Sequence, residues 1–211
     1  MAEAWFAEAP TVRYYSRAMY YRLLAAQYLP ENMKRVLYLD PDMLIINSLR
    51  PLYGIEMEDH LYAACIHKRL VNLSEPINKV RLSTYEAEGY FNSGVLLMNL
   101  PAIRKNVHPE AVFEYVKKNR QFLILPDQDV LNGLYGENIL SQDDTLWNYD
   151  ARRYNEYLIA SSGEKDMNWV MQHTAILHYC GKRKPWQQSS SGRFVTLYKH
   201  YMQLSKRFAP D

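Results

Sequence analysis

The sequence predicts an α/β layered fold, in which strands alternate with helices. Two observations carry that expectation. Short, nearly all-apolar runs at 36–39, 62–66 and 94–100 have the length and composition of strands covered on both faces. Around them lie helix signatures: a proline or small polar residue at the start, then apolar residues every three to four positions.

In chain order, Ser16 is a candidate N-cap for a helix to about Leu29, with Met19, Tyr20, Leu23, Leu24 and Tyr28 as its apolar positions and Pro30 ending it. Val36-Leu37-Tyr38-Leu39 reads as a central strand that stops at Asp40-Pro41-Asp42. Met43 to Ile46 resumes an extended pattern, and Asn47-Ser48, Pro51 and Gly54 break the chain after it. After the strands at 62–66 and 94–100, Pro109 opens a helix to about Asn119 with lysines in its last turn. Pro126 opens a shorter helix that carries Asp127, Gln128 and Asp129 in its first turn. Thr174 to Tyr179 is strand-like and ends at Gly181. From Ser191 on, Phe194, Leu197, Tyr198, Tyr201 and Met202 mark one face of a C-terminal amphipathic helix within 191–211. With no internal repeat or linker, 1–211 is expected to be one domain, with 1–15 an atypical N-terminus.

Composition narrows the function classes. The chain is 48% hydrophobic and 23% charged, a globular balance. Its formal charge of +2 gives no signal for nucleic acid, which usually calls for a larger or clustered basic excess. Only 8 of 211 residues are glycine, and neither glycine-loop motif for nucleotide phosphates occurs. The 18 tyrosines are the compositional oddity; half-buried packing explains them better than stacking on sugars. Cys65 and Cys180 read as buried free thiols of a reducing compartment. No run approaches a membrane span, and Met1-Ala2-Glu3-Ala4 has no basic or apolar leader character, so a cytoplasmic location is expected.

Four constellations carry chemistry. Asp40-Pro41-Asp42 follows a buried strand, where ligands of open α/β sheets bind. Residues i and i+2 of an extended segment point the same way, so both carboxylates can meet one hard cation. Pro41 favours that geometry by pushing Asp40 to extended backbone. His178 also lies at a strand end, where its imidazole can complete an oxygen-rich Mn²⁺ site. Lys184, six residues on, can neutralise a developing diphosphate charge. Asn92, in Tyr90-Phe91-Asn92-Ser93-Gly94, and Asp127-Gln128-Asp129 offer amides and carboxylates suited to sugar hydroxyls. Turn and helix-dipole roles explain Asn92, Asp127 and Asp129 equally well when each is taken alone.

Taken in order, these sites resemble the family 8 glycosyltransferases, the group of glycogenin and the bacterial lipopolysaccharide glucosyl- and galactosyltransferases. The resemblance runs from about Tyr20 to Trp186, through Tyr21-Arg22-Leu23 with Leu29-Pro30, Val36 to Asp42, Phe91 to Leu96, Asp127-Gln128-Asp129 with Leu131-Asn132, and His178-x-x-Gly181-x-x-Lys184-Pro185-Trp186. It implies a GT-A fold, a Rossmann-like mixed sheet flanked by helices. It also implies transfer of glucose or galactose from a UDP-hexose, with retention at the anomeric carbon, to a saccharide or glycolipid acceptor. Mn²⁺, or Mg²⁺ in its place, is the implied cofactor, with Asp42 and His178 as direct ligands and Asp40 both assisting the metal and touching the nucleotide. By the same resemblance Lys184 and the Gly181 backbone contact the diphosphate, Asn92 and Asp127 hold donor-sugar hydroxyls, Gln128 lies near the anomeric carbon, and Arg22 borders the donor.

Two departures from the family pattern are visible. About 39 residues precede Asp40, and they hold no credible first strand for the nucleoside, so an N-terminally truncated fold is expected. Pro41 stands where small residues are common. The competing reading is accordingly a truncated, inactive family member that serves as a binding or interaction protein. Haloacid-dehalogenase-type phosphatases also place D-x-D after a strand, but they need a hydroxyl residue where Leu44 stands. Finally, the basic residues of 193–208 flank an apolar face that packs against its own domain or, alternatively, lies on the inner membrane surface, where lipid-linked acceptors reside.

Overall fold

The computed structural model describes residues 17–66 and 88–208. Ser16, the residues before it and 209–211 therefore lie outside the described part. Among the described residues seven strands are formed: β1 Arg35–Leu39, β2 Met43–Ile45, β3 Tyr62–Cys65, β4 Val95–Asn99, β5 Ile139–Gln142, β6 Tyr149–Asp150 and β7 Ile176–His178. The α-helices are α1 Arg50–Tyr53, α2 Leu100–Asn106, α3 Pro109–Asn119, α4 Pro126–Tyr135, α5 Asp144–Trp147, α6 Tyr154–Ala160, α7 Met167–His173 and α8 Val195–Ser205. The chain divides into two compact units, Met1–Tyr38 with Tyr53–Gln142, and Leu39–Leu52 with Asp143–Asp211.

The first unit is built on a four-stranded sheet in the order β1-β4-β3-β5. β3 runs antiparallel to β4 and parallel to β5, so the sheet is mixed. β4 is apolar throughout because both its faces are covered. Leu96 and Met98 point into the main core with Tyr62, Ala64, Val130 and Leu131, while Leu97 packs on the opposite face with Ala63 and Met57. β1, expected as a central strand, lies at the edge of the described sheet and is only half-buried along its length.

The first expected helix forms as a 3-10 helix, Arg17–Gln27. In such a helix positions three apart eclipse one another, and one such line is buried here, with Leu24 buried beside it. Tyr20, Leu23 and Ala26 form that line and are 0%, 1% and 2% exposed. Arg104 of α2 holds the carbonyls around its end, donating to Ala26, Leu29, Pro30, Glu31 and Met33 at 2.8–3.3 Å. Arg104→Ala is expected to cost about 2 kcal/mol by returning these charge-assisted bonds to water. A chemical-denaturation midpoint unchanged from wild type would count against that role.

The second unit carries a three-stranded sheet in the order β2-β7-β6. β2 pairs antiparallel with β7, Met43 opposite His178, and β6 pairs parallel with it, Asp150 opposite His178. Its core is aromatic. Tyr149 lies 4.3 Å from Tyr157 and 5.8 Å from Phe194 between ring centroids, and both Tyr149 and Phe194 are buried. Much of the unusual tyrosine content is thus packed inside, where each ring buries a large apolar area. Asp143 caps α5 by accepting from the Thr145 backbone N–H at 2.8 Å. α8 starts after the buried Phe194, and Leu197 and Tyr198 pack on the same core. Further along, Tyr201 is 40% and Phe208 84% exposed.

Candidate active site

In the second unit the turn after β1 delivers Asp40 and Asp42, and β7 delivers His178. Tyr179 donates its backbone N–H to the Asp42 carbonyl at 2.9 Å, tying the turn to the strand end. Asp40, Asp42 and His178 each offer a ligand atom, all within 4.8 Å of one another. Asp42 and His178 are buried, at 8% and 4% exposure. His178 Nε2 lies 3.3 Å from Asp42 Oδ1, and Lys184 Nζ donates to Asp42 Oδ2 and, at 3.2 Å, to the Tyr179 carbonyl. Burial pushes the Asp42 carboxyl up, but the hydrogen bonds from His178 and Lys184 outweigh it and hold it at about 2. Asp42 is therefore ionised at any working pH, as a metal ligand must be.

Asn148 supplies what sequence reasoning missed. Its Oδ1 lies 2.8 Å from His178 Nδ1, and the residue is fully buried beside the start of β6. An amide oxygen only accepts, so Nδ1 carries a proton toward Asn148 and Nε2 is the ring nitrogen that faces the Asp42 carboxylate, on the side where a metal would be held. Two carboxylates and an imidazole fixed in this way fit a divalent metal such as Mn²⁺.

Gly181 comes next at φ +89°, in the left-handed region that favours glycine. Cys180 is a free thiol and half-buried, not buried as expected, whereas Cys65 is buried. Burial and the nearby Asp150 push the Cys180 thiol well above its usual range. Its alkylation by iodoacetamide at pH 8 is expected to be at least tenfold slower than that of free cysteine; an equal rate would refute the burial argument.

In the first unit, the loop before β4 meets the N-terminus of α4. Gln128 Oε1 accepts from Asn92 Nδ2 at 3.1 Å and from the Ser93 N–H at 3.2 Å. Asp127 Oδ2 accepts from Ser93 Oγ at 3.1 Å and lies 3.3 Å from Arg22 Nη1, which also donates to the Ser93 carbonyl at 3.0 Å. The Arg22 guanidinium stacks over the Tyr38 ring at 4.4 Å. Arg22, Asn92, Asp127 and Gln128 thus form one cluster, joined by Ser93, which sequence reasoning did not single out. Asp129 is turned inward: it is fully buried and accepts from Tyr90 Oη at 2.5 Å and from the Ile124 and Leu125 N–H groups at 2.6 and 3.0 Å. Asn132, one turn after Gln128, clamps the loop by bonding both the N–H and the carbonyl of Phe91 at 2.7 and 2.8 Å.

A mixed sheet flanked by helices, with an Asp-Asp-His group beyond a strand end, is the architecture of a GT-A glycosyltransferase. The sequence profile of Glycosyl transferase family 8 matches residues 5–190, and the chain belongs to that family. Among its relatives, General stress protein A of Bacillus subtilis (strain 168) is 26% identical, over 90% of this chain and 66% of its own length. Lipopolysaccharide glucosyltransferase WaaO of Escherichia coli (strain K12) is 29% identical, over 84% of this chain and 51% of its own. Lipopolysaccharide 1,3-galactosyltransferase of Salmonella typhimurium is 28% identical, over 84% and 51%. The chain therefore spans about half to two thirds of these relatives. A solved structure of galactosyltransferase LgtC with donor and acceptor sugar analogues superposes with a TM-score of 0.78 at 26% identity, covering 95% of this chain and 72% of that one. Among the described residues, no helix is long and apolar enough to cross a membrane.

Proposed function

We propose that the chain is a retaining hexosyltransferase that moves glucose or galactose from a UDP-hexose to a saccharide or lipid-linked acceptor. The observation that carries this reading is the convergence of Asp40, Asp42 and His178 with Lys184 beside them. Asp40, Asp42 and His178 would hold Mn²⁺, or Mg²⁺ in its place. A bound divalent ion supplies charge stabilisation for a departing diphosphate. Lys184 adds a second positive charge, and the Gly181 backbone gives the diphosphate close approach. Asn92, Asp127 and Arg22 bind and orient the hexose.

The bond from the anomeric carbon to the UDP oxygen breaks, and its electron pair leaves with the phosphate. The acceptor hydroxyl attacks on the same face, and its proton passes to the departing phosphate oxygen. This front-face route needs no strong base. A covalent route needs a free carboxylate at the anomeric carbon. Gln128 is an amide, and the neighbouring carboxylates are engaged, Asp127 by Ser93 and Arg22 and Asp129 by Tyr90 and two backbone N–H groups, which favours the front-face route. Trapping a glycosylated side chain would overturn it.

Mn²⁺-dependent release of UDP across a panel of UDP-hexoses tests the activity. No release, with Asp42→Ala behaving like wild type, would leave a binding protein in place of an enzyme. Asn148→Ala, which removes the partner of His178 Nδ1, is expected to weaken Mn²⁺ binding 10- to 100-fold, monitored by electron paramagnetic resonance. An unchanged affinity would exclude that orienting role. The exposed Tyr201 of α8 and Phe208 beyond its end would let the C-terminal segment rest on an anionic membrane. Co-sedimentation with vesicles that survives Tyr201→Glu with Phe208→Glu would dispose of that contact.

A further inference from the structure

A cavity of about 590 Å³ in the second unit lies between the segment after β7, the β6–α6 turn and the residues that lead into α8. Its lining includes Arg152, Lys182, Arg183 and Arg193, and none of its lining residues is Asp or Glu. That is a marked local excess in a chain whose formal charge is only +2. Asp40, Asp42, His178 and Lys184 do not line it, although Cys180, Lys182, Arg183 and Pro185 of the same segment do.

Two of the arginines are held in place. Asp150, buried at 1% exposure, grips Arg152 through the backbone N–H at 3.0 Å and through Nε and Nη2 at 2.9 and 2.6 Å. Arg193 rests over the Tyr154 ring at 4.1 Å. Among the described residues, no carboxylate lies within ion-pair distance of Arg183 or Arg193. A guanidinium held by packing, as that of Arg193 is over Tyr154, loses little entropy when it binds a tetrahedral oxyanion, and it matches the oxyanion through paired N–H donors. The volume exceeds that of a phosphate alone and falls within the range of small-molecule sites.

We propose that this pocket binds the phosphate group of a phosphorylated saccharide, as a second anion site apart from the metal cluster. That the saccharide is the acceptor rests on the glycosyltransferase reading; the anion binding does not.

Calorimetric titration of the full chain with inorganic phosphate, without metal and at low salt, tests the site. Wild type and the exposed-helix control Lys117→Gln are expected to bind alike. The double variant Arg183→Gln/Arg193→Gln is expected to bind at least tenfold more weakly, while both proteins bind UDP with Mn²⁺ within twofold of each other. Arg152 is left intact because the buried Asp150 depends on it. Equal phosphate affinity in wild type and double variant, or a parallel loss of UDP binding, overturns the proposal. Failure of wild type to bind UDP would sink the sugar-nucleotide reading and leave the phosphate result standing.

The source of the phosphate is read by two further arms. Glucose 6-phosphate binding at least tenfold tighter than glucose, with the preference lost in the double variant, supports a soluble phosphosaccharide. Arginine-dependent co-sedimentation with phosphatidylglycerol vesicles, without that preference, overturns the saccharide in favour of a lipid headgroup.

Discussion

Asp42→Ala is expected to lower Mn²⁺-dependent UDP release by about a thousandfold, equivalent to about 4 kcal/mol of lost transition-state stabilisation. The size reflects how many groups converge on this carboxylate. It faces His178 Nε2 at 3.3 Å, accepts from Lys184 and lies within 4.8 Å of the ligand atom of Asp40. Removing it deletes a metal ligand and leaves the partly buried Lys184 without this acceptor. Asp42→Asn keeps the shape but not the charge, and is expected to fall nearly as far. Chelation of the wild-type protein should match both, with activity restored by added Mn²⁺ only in wild type. Release within tenfold of wild type in Asp42→Ala would show that the metal cluster is not the catalytic one.

Asp127→Ala is expected to reduce kcat about a hundredfold, roughly 3 kcal/mol, with the affinity for UDP unchanged within twofold. Asp127 is 7% exposed and sits between the Ser93 hydroxyl and Arg22. Losing the carboxylate removes an acceptor for a sugar hydroxyl and frees Arg22 to move. Asp127→Asn, which can still accept from Ser93, should fall between the two. The split matters, because a merely structural role would lower stability and nucleotide affinity along with kcat. A variant that loses UDP binding in proportion to kcat would refute the sugar-holding assignment.

How much of the fold and site was legible in the sequence depended on whether a residue's role left a local signature. Asp40 and Asp42 announced themselves because an apolar run must end, and two acids separated by one residue stand out there, although the chain turns at Pro41 and Asp42 where an extended segment was expected. His178 was visible for the same reason. β4 and α3 were readable because an apolar run and a proline-started, lysine-ended helix each carry their own pattern. The 3-10 character of Arg17–Gln27 was not readable, since tyrosine, leucine and alanine buried three apart also suit an α-helix over two turns. β6 is two residues long, too short to show any period. Asn148 gave no signal, and Ser93 and Asn132, though inside the matching stretches, carried no readable role, for a different reason. Each matters through a partner 30 to 41 positions away, and a lone small polar residue gives no sign of which distant group it serves. Their hydrogen bonds exist only once the strands and α4 are in place.

The pairing of β2 with β7 places Met43 opposite His178, one residue after Asp42. The spacing of two potential ligands is therefore set by a strand ladder instead of by a loop. Because side chains alternate between faces, sliding β2 by one position would turn His178 and Asp42 out of reach of each other. Metal affinity then becomes a gauge of strand register: during refolding, the moment at which Mn²⁺ is first held tightly would date the correct zipping of these two strands, independently of any sugar chemistry.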